Sequence, residues 1–299
     1  VGDEALTSQA IDVDRRRRGW LLAALGMLLV STDSLFVRLA DADAWDVAFL
    51  VAAFSLPLQL GLSAAFDDDG PVRELRAWWG PLLLVGGLGA VSQIAFIGAI
   101  THTEVANAVV IVAGAPVVAA LIGRLVFGER TSARVWLAIL ITVVGILVVV
   151  AGSLGQPTLD GDLLAVLAIA SFAMSINVWR RYAAMSVFVG LALSAAAMLA
   201  VSAAFASPFS LEPRAYASAA AMGLVFNPLG RVAHSSAPRY APAAEVALFA
   251  PVETVAATAW AWIAFSEAPE PITIVGALIV IGGVLFGTLG SLSGARRRA

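Results

Sequence analysis

Long apolar runs separated by short polar turns fill the chain from Gly19 to Leu289. A helix of about 20 predominantly apolar residues crosses the hydrocarbon of a bilayer. The pattern predicts about ten such helices, near 19–39, 45–66, 78–100, 105–127, 135–152, 163–179, 185–206, 216–235, 243–265 and 272–289. The turns leave no room for a soluble domain. Residues 1–14 are polar and expected to be without structure, and Arg15 to Arg18 abut the first run. That run reaches about Leu39, longer than the apolar core of a signal peptide, so it is read as a span and not as a cleaved leader.

One hairpin pattern occurs twice. The stretch 107–150 is an apolar segment containing Pro116, an acidic turn at Gly128-Glu129, and a second apolar segment containing Gly145. Setting Glu129 on Glu267 at one constant offset brings Val117 onto Val255, Phe127 onto Phe265 and Gly145 onto Gly283. This is an internal repeat. Five spans per copy is an odd number, so the second copy crosses the membrane in the opposite sense. The expected fold is an all-α polytopic membrane protein of two inverted five-helix repeats, 19–153 and 160–290, between tails 1–18 and 291–299. Such repeats enclose a substrate site near the midplane, flanked by interrupted helices. Pro116, Asn227-Pro228 and Pro251 are the expected interruptions. Gly276, Gly283, Gly287 and Gly290 should receive a close-packed partner, either another helix of the chain or a second copy.

Composition fixes the solvent. With 60% hydrophobic and 13% charged residues in 299 and a mean hydropathy of +0.91, the chain carries more apolar surface than a soluble domain could bury. All 18 basic residues are arginine, clustered between apolar runs, and the net charge of -3 gives no footprint for nucleic acid. The absence of cysteine excludes disulfides and thiolate chemistry within the chain. With a cytoplasmic N-terminus, Arg15 to Arg18, Arg73, Arg76, Arg130, Arg134, Arg180, Arg181, Arg239 and Arg296 to Arg298 fall on the cytoplasmic side. Arg124 and Arg231 lie at cytoplasmic ends of their spans, and Arg38 and Arg214 lie outside. Arginine bias of this kind places both termini in the cytoplasm.

The string Phe96 to Ile100, then Thr103 to Asn107, Ala115-Pro116 and Gly128-Glu129 resembles the fourth-helix signature of the drug/metabolite transporter superfamily, EamA type. The stretch from Ala241 to Glu267 with Gly282-Gly283 resembles the same module. The chain departs from the family pattern at Phe54-Ser55-Leu56, where an arginine is common, and at Phe172, where a tryptophan is common. The resemblance implies a ten-helix exporter of the cytoplasmic membrane with a central cavity.

Polar residues inside spans are the candidates for chemistry. Asp33 is flanked by Ser31, Thr32 and Ser34, and four consecutive polar positions cannot share one helical face. Either the hydroxyls bond back to the preceding turn or the helix loosens there. Glu253 falls mid-span, where a carboxylate costs about 2.5–3.5 kcal/mol to insert and is kept with a partner or a wet path. A protonated Glu253 bonded to a neighbouring helix is the alternative. On an ideal helix Glu245, Phe249, Glu253, Ala256 and Trp260 form one stripe. Gln93, Asn107, Ser175, Asn177 and Asn227 serve either as interhelical contacts or as substrate contacts.

The candidate substrate or coupling set is Asp33, Ser34, Gln93, Phe96, Asn107, Ser175, Asn227, Glu245, Phe249 and Glu253. Glu129 and Glu267 are read as structural turn residues. His102 and His234 lack companions at metal-ligand spacing, and no cofactor or catalytic motif is expected. An intramembrane enzyme and a non-transporting scaffold are the competing classes, and amphiphilic drugs are the alternative cargo. The expectation is a secondary exporter, monomer or homodimer, in contact with lipid and with protons as candidate coupling ion. Its cargo is a small zwitterionic or cationic metabolite, and the resemblance favours amino acids. The preference for amines rests on Asp33 and Glu253 having no basic partner visible near the midplane.

Overall fold

The structure, a computed structural model, describes residues 2–102, 110–151 and 158–296. Ten helical spans run through these residues, and no strand occurs among them. The first span is α1 (Gly2–Val30) continued by α2 (Asp33–Ala40), followed by α3 (Ala44–Phe66) and α4 (Gly70–His102). The fourth to seventh are α5 (Ala115–Val126), α6 (Ala133–Val150), α7 (Leu159–Arg181) and α8 (Val187–Ser202). The eighth joins α9 (Pro213–Ala221), a π-helical turn (Met222–Phe226) and α10 (Asn227–Ser236). The ninth joins α11 (Ala243–Ala247) to α12 (Ala250–Phe265), and α13 (Pro271–Arg296) is the tenth. The N-terminal stretch differs from expectation, because α1 already begins at Gly2. No proline interrupts the chain between Gly2 and Val30.

Among the described residues, seven helical segments are long and apolar enough to cross a membrane, and 110–126 and 187–202 are shorter apolar helices. The eighth span is more polar, and its Asn227 and His234 are buried in the protein. Lipid-facing stripes are apolar instead. On α6, Leu137, Leu140, Val144 and Leu147 are exposed at helical spacing, while Ala138, Thr142 and Gly145 on the other side are buried.

Close packing explains the glycines of the tenth span. A Cβ at Gly283 would lie 2.8 Å from Thr142 Cγ2, and one at Gly145 would lie 2.8 Å from Val280 Cγ2. A Cβ at Gly276 would lie 2.6 Å from the Val149 nitrogen, and one at Gly287 would lie 2.7 Å from Ala138 Cβ. The expected partner of Gly276, Gly283 and Gly287 is therefore α6 of the same chain. The side of Gly290 lies outside the described residues.

Main packing contacts come in images of one another. The third span lies against the sixth and seventh, and the eighth lies against the first and second. The fourth packs on the sixth as the ninth packs on the first, while the fifth pairs with the tenth. Pairing of this kind is what two inverted five-helix copies require.

Among the described residues, α4 bends at Trp78 near its start, four other spans are interrupted further in, and prolines account for three of those breaks. The fourth restarts at Ala115-Pro116 and the ninth at Ala250-Pro251. In the eighth, Pro228 has no N–H to donate, and the preceding turn widens so that the Asn227 N–H reaches the Met222 carbonyl. The first span breaks at Ser31-Thr32. Both expected behaviours occur there together. Ser31 Oγ donates to the Leu28 carbonyl at 2.6 Å, Thr32 Oγ1 to the Leu29 carbonyl at 2.7 Å, and the helix restarts at Asp33.

The breaks also correct the repeat alignment. Ala115-Pro116-Val117 and Ala250-Pro251-Val252 open the two restarted helices, yet α5 has 12 residues and α12 has 16. The offset set at the acidic turns therefore slips by about one turn between turn and break.

Candidate functional site

Three of the four restarted helices carry a polar residue in their first turn: Asp33 on α2, Asn227 on α10 and Glu253 on α12. The breaks bring these turns together. Asn227 Nδ2 donates to Asp33 Oδ2 at 2.8 Å, and Arg231 Nε donates to Asn227 Oδ1 at 2.6 Å. Arg231 Nη2 also reaches Gln93 Oε1 at 3.1 Å. Gln93 in turn donates to the Gly89 carbonyl at 3.3 Å and to Ser194 Oγ at 3.4 Å. A continuous polar chain thus crosses the molecule from the first span through the eighth and third to the seventh.

Glu253 completes the cluster electrostatically. Its carboxylate is within Coulombic reach of both Asp33 and Arg231, and it has no hydrogen-bond partner among the described residues. Asp33 Oδ1 is buried and likewise lacks a partner among them. Among the described residues, two carboxyl groups therefore share one guanidinium and keep acceptor oxygens without a partner.

Arg231 is the member of this candidate site that the sequence reading did not include. The sequence places it at the end of its span, but the helix continues through Ser236 and a 3₁₀ turn to Arg239. Arg239 holds the face by donating to the Met185 carbonyl at 2.6 Å. Arg231 lies two turns further in, so the inference that Asp33 and Glu253 lack a basic partner is corrected. The signal was present in the spacing, because Asn227 and Arg231 are four residues apart and share a helix face.

Other candidates lie elsewhere. The break at Leu248-Phe249 interrupts the expected stripe, and Glu245 sits at the face carrying the termini, paired with Arg16 and accepting from Trp20 Nε1 at 2.9 Å. Phe249 packs in the core with Met27 and Ala23. Ser34 donates back to the Ser31 carbonyl at 2.9 Å. Phe96 and Ser175 are partly buried on α4 and α7 and make no hydrogen bond to the cluster among the described residues. Asn107 lies outside the described residues. Asn177 bonds the Ala119 carbonyl at 3.1 Å, an interhelical contact. His234 is buried and stacked on Phe172 at 5.5 Å. Among the described residues no group of three His, Cys, Asp or Glu side chains could hold a metal ion.

Ion pairs mark both ends of the bundle. At the face of the termini, Arg180 Nε meets Glu129 Oε1 at 3.2 Å. A cavity of about 80 Å³ beside it is lined by Arg16, Ala120, Glu129 and Glu245. At the far face, Arg38 grips Glu267 with two bonds of 2.7 and 2.8 Å, and Arg214 pairs with Asp41. The donors of Arg38 hold the Glu267 carboxyl below the usual carboxylate range.

A family model described as the EamA-like transporter family matches residues 17–151 and again residues 159–289. A pseudopaline exporter, CntI, of Pseudomonas aeruginosa strain UCBPP-PA14 is 28% identical over 278 residues, covering 90% of this chain and 95% of that protein. Its counterpart in strain PAO1 is 28% identical over 280 residues, with the same coverage. A solved crystal structure superposes with a TM-score of 0.80 at 19% identity, covering 93% of this chain and 98% of the other, a likeness of fold.

Proposed function

The chain belongs to the EamA-like transporter family, and from that premise we propose that this multi-pass membrane protein exports small zwitterionic or cationic metabolites by alternating access in exchange for protons. Amino acids and related amino-carboxylates are the first class to test. Pseudopaline joins them, because the relatives in Pseudomonas aeruginosa are named for its export. The membrane is the cytoplasmic one, with both chain termini inside.

The observation that carries this reading is the charge balance at the interrupted helices. Asp33 and Glu253 set two ionisable carboxyl groups against the guanidinium of Arg231. An unbalanced charge inside a span is costly. A proton or a substrate ammonium neutralises the excess, and either one excludes the other. That competition is what an antiporter needs. The carboxylate oxygens without a partner among the described residues give an ammonium its acceptors, and Arg231 gives a carboxylate on the same molecule a partner that neutral amide oxygens hold in the structure.

Proteoliposomes loaded with candidate metabolites test the proposal. Efflux should accelerate when protons are supplied from the opposite side, and it should be competed by amines and zwitterions. Acceleration by dicarboxylates lacking an amine, with no response to zwitterions, overturns it.

A further inference from the structure

The two acidic turns that mark the repeat also carry an equivalent partner. Glu129 comes after the fourth span and Glu267 after the ninth, in matching places of the two copies. Glu129 pairs with Arg180 in the last turn of the sixth span, and Glu267 pairs with Arg38 in the last turn of the first. The sixth span is the repeat image of the first. The pairs are therefore one device used twice, at opposite faces.

We propose that Glu129–Arg180 and Glu267–Arg38 are paired latches, each closing one entrance to the central site. This rests on the alternating-access reading and assigns its gates. Each latch ties the ends of two spans together at its own face. The far one ties the ninth span to the first, and below it Trp260 Nε1 bonds Ser31 Oγ at 2.9 Å, at the break beside Asp33. The other ties the fourth span to the sixth, where Asn177 bridges to the Ala119 carbonyl. Arg180 also donates to the Pro238 carbonyl at 3.0 Å, holding the connection before the ninth span. Arg38 lies over the Phe265 ring at 4.1 Å.

Exposure suits the role. The side chains are 47% and 54% exposed in the far pair and 31% and 35% in the other. Half-exposed pairs contribute little to stability, and their released partners are taken up by water. Breaking one shifts an open–closed equilibrium by up to about fivefold. A buried pair would hold either entrance shut too firmly for turnover.

The chain has no cysteine, so single reporters can be placed directly. A256C lies one turn above Glu253 towards the far face, and A120C lines the cavity beside Glu129. Maleimide labelling rates are measured for each reporter in the parent and in E267Q and E129Q, with melting temperature recorded in parallel. E267Q should raise labelling of A256C twofold to about fivefold and lower that of A120C. E129Q should do the reverse. The charge swap R38E with E267R should return both rates to the parent values. Unchanged labelling at a variant's own face overturns the latches, as does a swap that fails to restore it. Labelling that rises at the opened face without falling at the other leaves the latches standing and overturns the alternating access on which they rest.

Discussion

Arg231 and Glu253 constrain one another. Removing one partner from this partly buried charge group leaves the rest less well compensated, at a cost of about 1–3 kcal/mol. Arg231→Met should therefore lower the melting temperature sharply by leaving Asp33 and Glu253 facing each other. Adding Glu253→Gln should recover much of the loss. If R231M melts like the parent, Arg231 is not the counter-charge. Glu253→Gln alone keeps size and hydrogen-bonding capacity and removes the exchangeable charge. It should fold normally, lose proton-driven transport in proteoliposomes and retain substrate exchange. Transport by E253Q with an unaltered pH dependence would move the coupling role to Asp33. Both carboxylates were legible in the sequence as charges within apolar runs. Arg231 was not, because the expected span closes near Ser235 and puts Arg231 at its cytoplasmic end, whereas the helical path runs on to Arg239 and leaves Arg231 two turns inside.

At the scale of elements, the prolines were sound guides to the breaks at Pro116, Pro228 and Pro251. The break at Ser31-Thr32 was half legible. Hydroxyls bonded to the preceding turn and an interrupted helix were alternatives on the sequence, and in the structure the first accompanies the second. What the sequence left undecided was the partner of a given helix face, since a glycine row fits a neighbour in the chain and a second copy equally well. Backbone approach decides it in favour of α6. Gly283→Leu should destabilise the protein by about 1–3 kcal/mol, because the added side chain meets Thr142 and Ile141 with no room to turn. Gly282→Leu is the control, as a Cβ there meets nothing within 4 Å. Equal melting temperatures for the two variants in detergent would mean that the fifth and tenth spans do not pack as described.

For the whole molecule, inversion of the copies is a matter of counting. Five spans reverse the direction of the chain, so equivalent turns must emerge on opposite faces, and Glu129 and Glu267 do so. Ten spans return the C-terminus to the face of the N-terminus. The proposal that the face of the termini meets the cytoplasm rests on arginine. Arg38 and Arg214 stand at the far face, each engaged by an acidic side chain, whereas the clusters at Arg15 to Arg18, Arg73 and Arg76, and Arg130 and Arg134 stand at the face of the termini. Arginines near span ends resist translocation and stay inside. A single A133C, on an exposed position at the start of α6, should therefore react in whole cells with membrane-permeant maleimides alone. A268C, exposed in the turn beside Glu267, should react with impermeant ones as well. Both substitutions fall at exposed ends of elements, where the fold tolerates change. The reverse labelling pattern would invert the assigned orientation. Impermeant labelling of both positions from one side would contradict the inverted repeat itself.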